Sequence, residues 1–131
     1  MKKSGILNHE LSDLIARLGH TDTITIADAG LPVPPGVQRI DLALTGGMPA
    51  LLDVLRLVLD DLAVEKVVIA AEMKDVSPAF YKELGEVLGQ IEVEQIPHAE
   101  FKQLTQASRA VIRTGEFTYF SNVLIVAGVA F

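Results

Sequence analysis

The sequence runs to 131 residues, half of them apolar, which suits one compact domain over residues 1–131 with a sizeable core and is too apolar for a disordered chain. A net charge of −6 without any Lys/Arg cluster excludes nucleic acid and anionic membrane as partners, since both require a positive surface. No cysteine is present, so disulfides, thiolate metal sites and thiol nucleophiles are excluded, and a metal would have to be held by His and carboxylates.

Met1-Lys2-Lys3 resembles the start of a signal peptide, but Asn8, His9 and Glu10 follow before an apolar stretch can develop, and a cytoplasmic protein is expected. Asn8 is placed to cap a first helix whose Leu11, Leu14, Ile15 and Leu18 share one face, with Gly19 suited to a left-handed position at its end. His20 then stands just beyond a helix terminus. Thr23-Ile24-Thr25-Ile26 alternates as a strand does and runs into the turn residues Asp28-Ala29-Gly30. Pro32, Pro34 and Pro35 impose an extended loop before a strand around Arg39 to Leu44, which Gly46 and Gly47 close.

A helix follows, with Pro49 near its first turn and Leu51, Leu52, Leu55, Leu59 and Leu62 on one wide stripe. Val67-Val68-Ile69-Ala70-Ala71 is a continuous apolar run of the kind buried on both faces at a parallel sheet's centre. Ser77-Pro78 opens a helix to about Leu88, Ile91 to Ile96 reads as a strand, and His98 to about Gln106 as a short helix. Ala110 to Ile112 and Asn122 to Val129 complete the strands. The longest apolar run, Val123 to Phe131, is far short of the ~20 residues a membrane helix needs. Its apolar end, Val129-Ala130-Phe131, calls for cover by a second subunit. Alternating strands and helices predict an α/β fold, a three-layer α/β/α domain with a mostly parallel central sheet.

In open α/β sheets ligands gather at the C-terminal ends of the strands, which groups Asp28, Glu72, His98 and the loop from Arg113 to Asn122. No dinucleotide, phosphate-loop or zinc-protease motif is present, and nothing in the spacing of His and Asp supports a metal. His20 reads either as a cation on the first helix's dipole or as a proton carrier; His98 as a cap-region residue or a neutral acceptor. Asp28 reads as an Asx-turn residue and Lys102 as a solvated helix face, unless a pocket forms around them.

Leu18-Gly19-His20-Thr21-Asp22, Ile26 to Pro34, Arg39 to Leu44, Ala71 to Lys74, His98 to Lys102 and Val111 to Thr118 together resemble the D-ribose pyranase and fucose mutarotase family, along essentially the whole chain. The resemblance implies an isomerase that interconverts the pyranose and furanose forms of β-D-ribose without metal or organic cofactor. It further implies His20 as the proton donor and Asp28, His98, Lys102, Phe120, Ser121 and Asn122 as the sugar-binding set. A ring-shaped homo-oligomer, typically a decamer, with each monosaccharide site built between adjacent subunits is implied as well. Within the same family a mutarotase of L-fucose or a related sugar is the alternative; outside enzymes, a non-catalytic sugar-binding accessory protein of a transport system. Where the family usually shows Thr-Pro-Tyr-Ala-Asn, this chain reads Thr118-Tyr119-Phe120-Ser121-Asn122, which displaces the phenol by one residue and leaves Asn122 in register.

Overall fold

The computed structural model describes residues 1–131. The elements in chain order are α1 (His9–Arg17), β1 (Thr23–Ala27), β2 (Gln38–Asp41), α2 (Leu51–Asp61), β3 (Val64–Ala70), α3 (Met73–Val76), α4 (Pro78–Leu88), β4 (Glu92–Ile96), α5 (His98–Leu104), a 3₁₀ turn at Thr105–Ala107, β5 (Ala110–Arg113) and β6 (Val123–Ala127). One six-stranded sheet has the order β2-β5-β1-β6-β3-β4.

Strand β6 alone runs against the others, antiparallel to both β1 and β3, while β1, β2 and β5 pair in parallel, as do β3 and β4. The reason lies in the connections. A parallel return needs a crossover of a dozen or more residues, usually helical. Residues 114–122 between β5 and β6 hold no helix, so the chain turns straight back at the edge where β5 ends. The sheet is thus mostly parallel, as expected, but the apolar strand β3 lies second from an edge, and the centre is shared by β1 and β6.

The two faces of the sheet are covered unequally. Ile24 and Ile26 of β1, Val67 and Ile69 of β3, and Val123 and Ile125 of β6 point to one side, where Leu11 and Leu14 of α1, Leu51, Leu55 and Val58 of α2, and Leu84 and Leu88 of α4 cover them. Ala27, Val68, Val111, Leu124 and Val126 point to the other, against Phe101 of α5 and Leu31. This is the period-two alternation of strands, and it gives the three layers: α1 to α4 on one face, α3 through Met73, and α5 with the proline-bearing loop on the other. Thr25, a polar residue on the thinner side, is wholly buried and pairs its hydroxyl with Ser108 at 2.7 Å.

Several element ends differ from the sequence expectation, each for a local reason. Asn8 caps α1 as expected, accepting from the Leu11 N–H at 2.9 Å. Gly19 is not the left-handed residue; Thr21 is, with φ 70°. The Gly19 N–H instead donates to the Asp22 carboxylate at 2.9 Å. Strand β2 stops at Asp41, before the expected Leu44, because the Asp41 carboxylate accepts from the Ala43 N–H at 3.0 Å and turns the chain. The extra helix α3 precedes α4, and Ser77 does not cap α4 with its side chain; its hydroxyl donates to the Tyr119 carbonyl at 2.7 Å.

Candidate active site at the C-terminal edge of the sheet

The C-terminal ends of β1, β4 and β5 and the start of β6 surround a cavity of about 620 Å³, walled by Asp28 to Pro32, His98, Lys102, Arg113, Glu116 to Phe120, and Asn122. Asp28 enters it directly from β1. Its Oδ1 accepts the Gly30 N–H at 2.9 Å, which is the Asx turn read from the sequence. Its Oδ2 accepts from Asn122 Nδ2 at 3.1 Å, and its own N–H donates to Asn122 Oδ1 at 2.7 Å. The same aspartate therefore shapes a turn and lines a pocket.

The loop of residues 114–122 is anchored along its length. Thr114, wholly buried, donates its hydroxyl to the Ala27 carbonyl at 2.7 Å, and the Ala29 N–H donates to the Glu116 carbonyl at 2.9 Å. These two bonds clamp both neighbours of Asp28. The Glu116 carboxylate accepts the Leu51 N–H at 3.0 Å and the Thr118 hydroxyl at 2.8 Å, fastening the loop to the start of α2. Gly115 is dictated by space, since a Cβ there would lie 2.5 to 2.6 Å from backbone atoms of Thr45 and Met48. Phe120 is held at φ 56°, an unfavourable conformation for an aromatic residue that the surrounding bonds sustain.

His98 opens α5 with its ring edge-on to Phe120, centroids 5.0 Å apart, and stacked over Phe101 at 6.2 Å. Its Nδ1 is buried with no hydrogen-bond partner. Burial, followed by the positive charge of Lys102, lowers its pKa from the ordinary value; Glu72 and Asp28 act in the opposite sense. The imidazole is thereby kept neutral at pH 7, able to exchange hydrogen bonds with a hydroxyl. Lys102, one helical turn on, is exposed and reaches the same cavity.

Of the residues singled out in the sequence, Asp28, His98, Lys102, Phe120 and Asn122 meet in this cavity. Ser121 does not face it: the side chain is wholly buried and its hydroxyl donates to the Thr118 carbonyl at 2.8 Å. His20 lies elsewhere. It precedes the N-terminal end of β1 while Asp28 follows the C-terminal end, so a five-residue strand, roughly 17 Å long at ~3.3 Å per residue, separates them. His20 is half exposed, its Nε2 3.4 Å from Glu65 Oε1, where a register shift between Val64 and Lys66 leaves Glu65 out of the ladder. The turn carrying His20 is tied down by Thr21 N–H to the Ala127 carbonyl at 2.9 Å and by Asp22 to Arg109 at 2.9 Å.

Arg113, Glu116, Phe117 and Thr118 carry no individual signal in the sequence beyond the loop they belong to. Arg113 donates to the Ala29 carbonyl at 3.0 Å and to Asp41 at 3.0 Å, bonds that join separate strands and leave no local pattern. No three His, Asp or Glu side chains converge as metal ligands, and no helix is long and apolar enough to cross a membrane. The cavity combines a carboxylate, an amide, a neutral imidazole and an ammonium with an aromatic wall, a set suited to a small ligand rich in hydroxyls.

Residues 1–130 match the RbsD / FucU transport protein family. The chain belongs to that family. It is 54% identical to the D-ribose pyranase of Laribacter hongkongensis and 51% identical to that of Coprothermobacter proteolyticus, each over 131 residues and the full length of both chains. The solved structure of Bacillus subtilis RbsD complexed with D-ribose superimposes with a TM-score of 0.96 at 51% identity, covering all of both chains. The fucose mutarotase of Streptococcus pneumoniae, solved with L-fucose, shares the fold at 18% identity and a TM-score of 0.78, covering 95% of each chain.

Proposed function

We propose that this protein is a D-ribose pyranase, an isomerase that interconverts the pyranose and furanose forms of β-D-ribose. The observation that carries the reading is the full-length match, at 51% identity and a TM-score of 0.96, to a relative solved with D-ribose. The curated D-ribose pyranases at similar identity support it. So does a cavity whose polar groups suit a small sugar.

Asp28, His98 and Asn122 hold the sugar hydroxyls, with Lys102 at the rim and Phe120 against the apolar face of the ring. Ring opening removes a proton from the anomeric hydroxyl and delivers one to the ring oxygen as the bond from C1 to that oxygen breaks. The open aldehyde then closes through a different hydroxyl, giving the five-membered ring, and the protons return. No electrons are exchanged, and the step asks for no metal or organic cofactor. His20 is the proton donor in this scheme. Positioned acid–base groups give rate factors of about 10² to 10⁴, adequate for a reaction that water already performs slowly.

The separation of His20 from Asp28 along β1 means that one chain cannot bring both to one sugar, and the scheme therefore requires a second copy. We assign a ring-shaped homo-oligomer, a decamer as in the sequence expectation, in which His20 of one copy faces the cavity of the next. Exposed Leu44, Phe117 and Tyr119 near the cavity, at 80%, 74% and 75% accessibility, supply apolar surface for such contact. The protein works in the cytoplasm, where ribose is metabolised.

Saturation-transfer NMR of D-ribose at equilibrium tests the activity: added protein should accelerate exchange between pyranose and furanose signals. Exchange only between α and β pyranoses would point to a mutarotase, and binding without faster exchange to an accessory protein. Light scattering returning a 14.1 kDa monomer would defeat the shared site.

A further inference from the structure

Glu72 stands two residues beyond the end of β3 and is half-buried beside the start of α5. Both oxygens of its carboxylate accept the backbone N–H of His98, at 3.0 and 3.1 Å. The residue before His98 is Pro97, whose side chain makes no cap bond. The first amide of α5 thus takes its partner from the neighbouring strand's end, just past the Ala71 N–H to Ile96 carbonyl bond of 2.7 Å that continues the ladder.

The His98 ring itself makes no hydrogen bond within the chain: Nδ1 is buried and unpartnered, and the ring rests on Phe101 and Phe120. The stack on Phe101 and the edge-on contact with Phe120 set the plane of the ring, but they act on it only if the α5 backbone carries His98 to that place. The restraint on the backbone from which the ring projects is the bond from the His98 N–H to Glu72. We propose that Glu72 is a positioning residue for His98, its carboxylate holding the first amide of α5 so that the imidazole is presented to the sugar. The inference rests on the reading of the cavity as a ribose site and adds to it a residue that touches no sugar.

Glu72 also carries a negative charge toward the ring. The other charged groups around His98 are Lys102 on its own helix and Asp28 from the end of β1. From the 114–122 side, Arg113 and Glu116 line the same cavity but are engaged, the first with Asp41 and the Ala29 carbonyl, the second with the Leu51 N–H and Thr118.

The test compares Glu72→Ala and Glu72→Gln in the assembled protein, reading KM and kcat for ribose exchange and the His98 imidazole titration by NMR. Glu72→Ala removes the acceptor and should raise KM about three- to tenfold with kcat little changed, the size of one lost hydrogen bond. Glu72→Gln keeps an oxygen for the His98 N–H and should restore most of KM. Both variants lose the negative charge, so the His98 midpoint should fall in both. A Glu72→Ala protein with parental KM overturns the proposal whatever its His98 midpoint, as does, should that variant not fold, a His98 backbone amide in the parental protein that exchanges hydrogen as fast as an unbonded one. Absence of exchange catalysis by the unsubstituted protein would instead defeat the functional reading, and hydrogen exchange of the His98 amide in the parent and in Glu72→Ala would still decide whether Glu72 holds it.

Discussion

Asn122 holds Asp28 at two points, its Oδ1 accepting the Asp28 N–H at 2.7 Å and its Nδ2 donating a hydrogen bond to Asp28 Oδ2 at 3.1 Å. The amide is 1% exposed, so water cannot replace either bond. One side chain thus joins the end of β1 to the start of β6 and sets the direction of the carboxylate in the cavity.

Asn122→Asp replaces the donor with a second carboxylate facing Asp28, and like charges so close are unfavourable. Stability should fall by about 1 to 3 kcal/mol, the cost of an unsatisfied buried polar group, and ribose affinity by an order of magnitude. Urea unfolding and calorimetry at pH 7 measure both, and acidification should recover part of the loss. Parental values in both would mean that the pair does not organise the site.

His20→Ala should remove most exchange catalysis while the protein stays folded and assembled, because the exposed pair with Glu65 contributes at most about 1 kcal/mol. Co-assembly offers a sharper test. Mixed with Asn122→Asp and reassembled, His20→Ala should regain activity at those interfaces that combine an intact His20 with an intact cavity. No recovery from verified mixed oligomers would place both functions in one chain.

Phe120→Tyr should tighten ribose several-fold, since it restores one hydroxyl hydrogen bond worth about 0.5 to 1.5 kcal/mol. Tyr119 is exposed, and its carbonyl is bound by the Ser77 hydroxyl, so Tyr119→Phe should leave affinity unchanged. Titration of both variants separates the two phenyl positions. Weaker binding by Tyr119→Phe would show that this phenol reaches the sugar.

Burial and Lys102 lower the His98 pKa from its ordinary value near 6.5. In the unfolded chain the group takes up its proton near 6.5, whereas in the folded protein it does so only at lower pH. On acidification from about 6.5 to the lowered midpoint the unfolded state binds more protons, and stability falls. Ribose affinity should hold from neutral pH through 6.5 and drop only as folded His98 is protonated. Thermal melts and His98 imidazole shifts against pH check the sign, and a midpoint above 6.5 would reverse it.

Gly115→Ala should destabilise the protein by about 1 to 3 kcal/mol, because the new methyl meets backbone atoms of Thr45 and Met48 rather than a yielding side chain. The 114–122 loop would shift with it, and ribose affinity should fall alongside the unfolding midpoint. A variant as stable as the parent would show that the 44–48 turn yields.

The helices and strands were legible in the sequence because their signals are local. The stripe of Leu11 and Leu14, the Asn8 cap, the alternation of Thr23 to Ile26 and the run Val67 to Ala70 each repeat within a few residues, and burial follows those repeats. The C-terminal edge as the place for Asp28 and His98 followed from the strand and helix order, and membership of the family was legible in the motifs spread along the chain. The reversed strand β6, the burial of Ser121 and the bond from Glu72 to the His98 amide were not legible. Nor does the sequence show that β1 separates His20 from the cavity, since that depends on the cavity lying at the strand's C-terminal end. These features depend on groups far apart in the chain, 94 residues apart for Asp28 and Asn122, and local periodicity carries no information about which distant strand edge a segment will join. Side-chain chemistry and local order were written in the sequence, while the direction of β6 and the company kept by each polar group were decided by which strands paired.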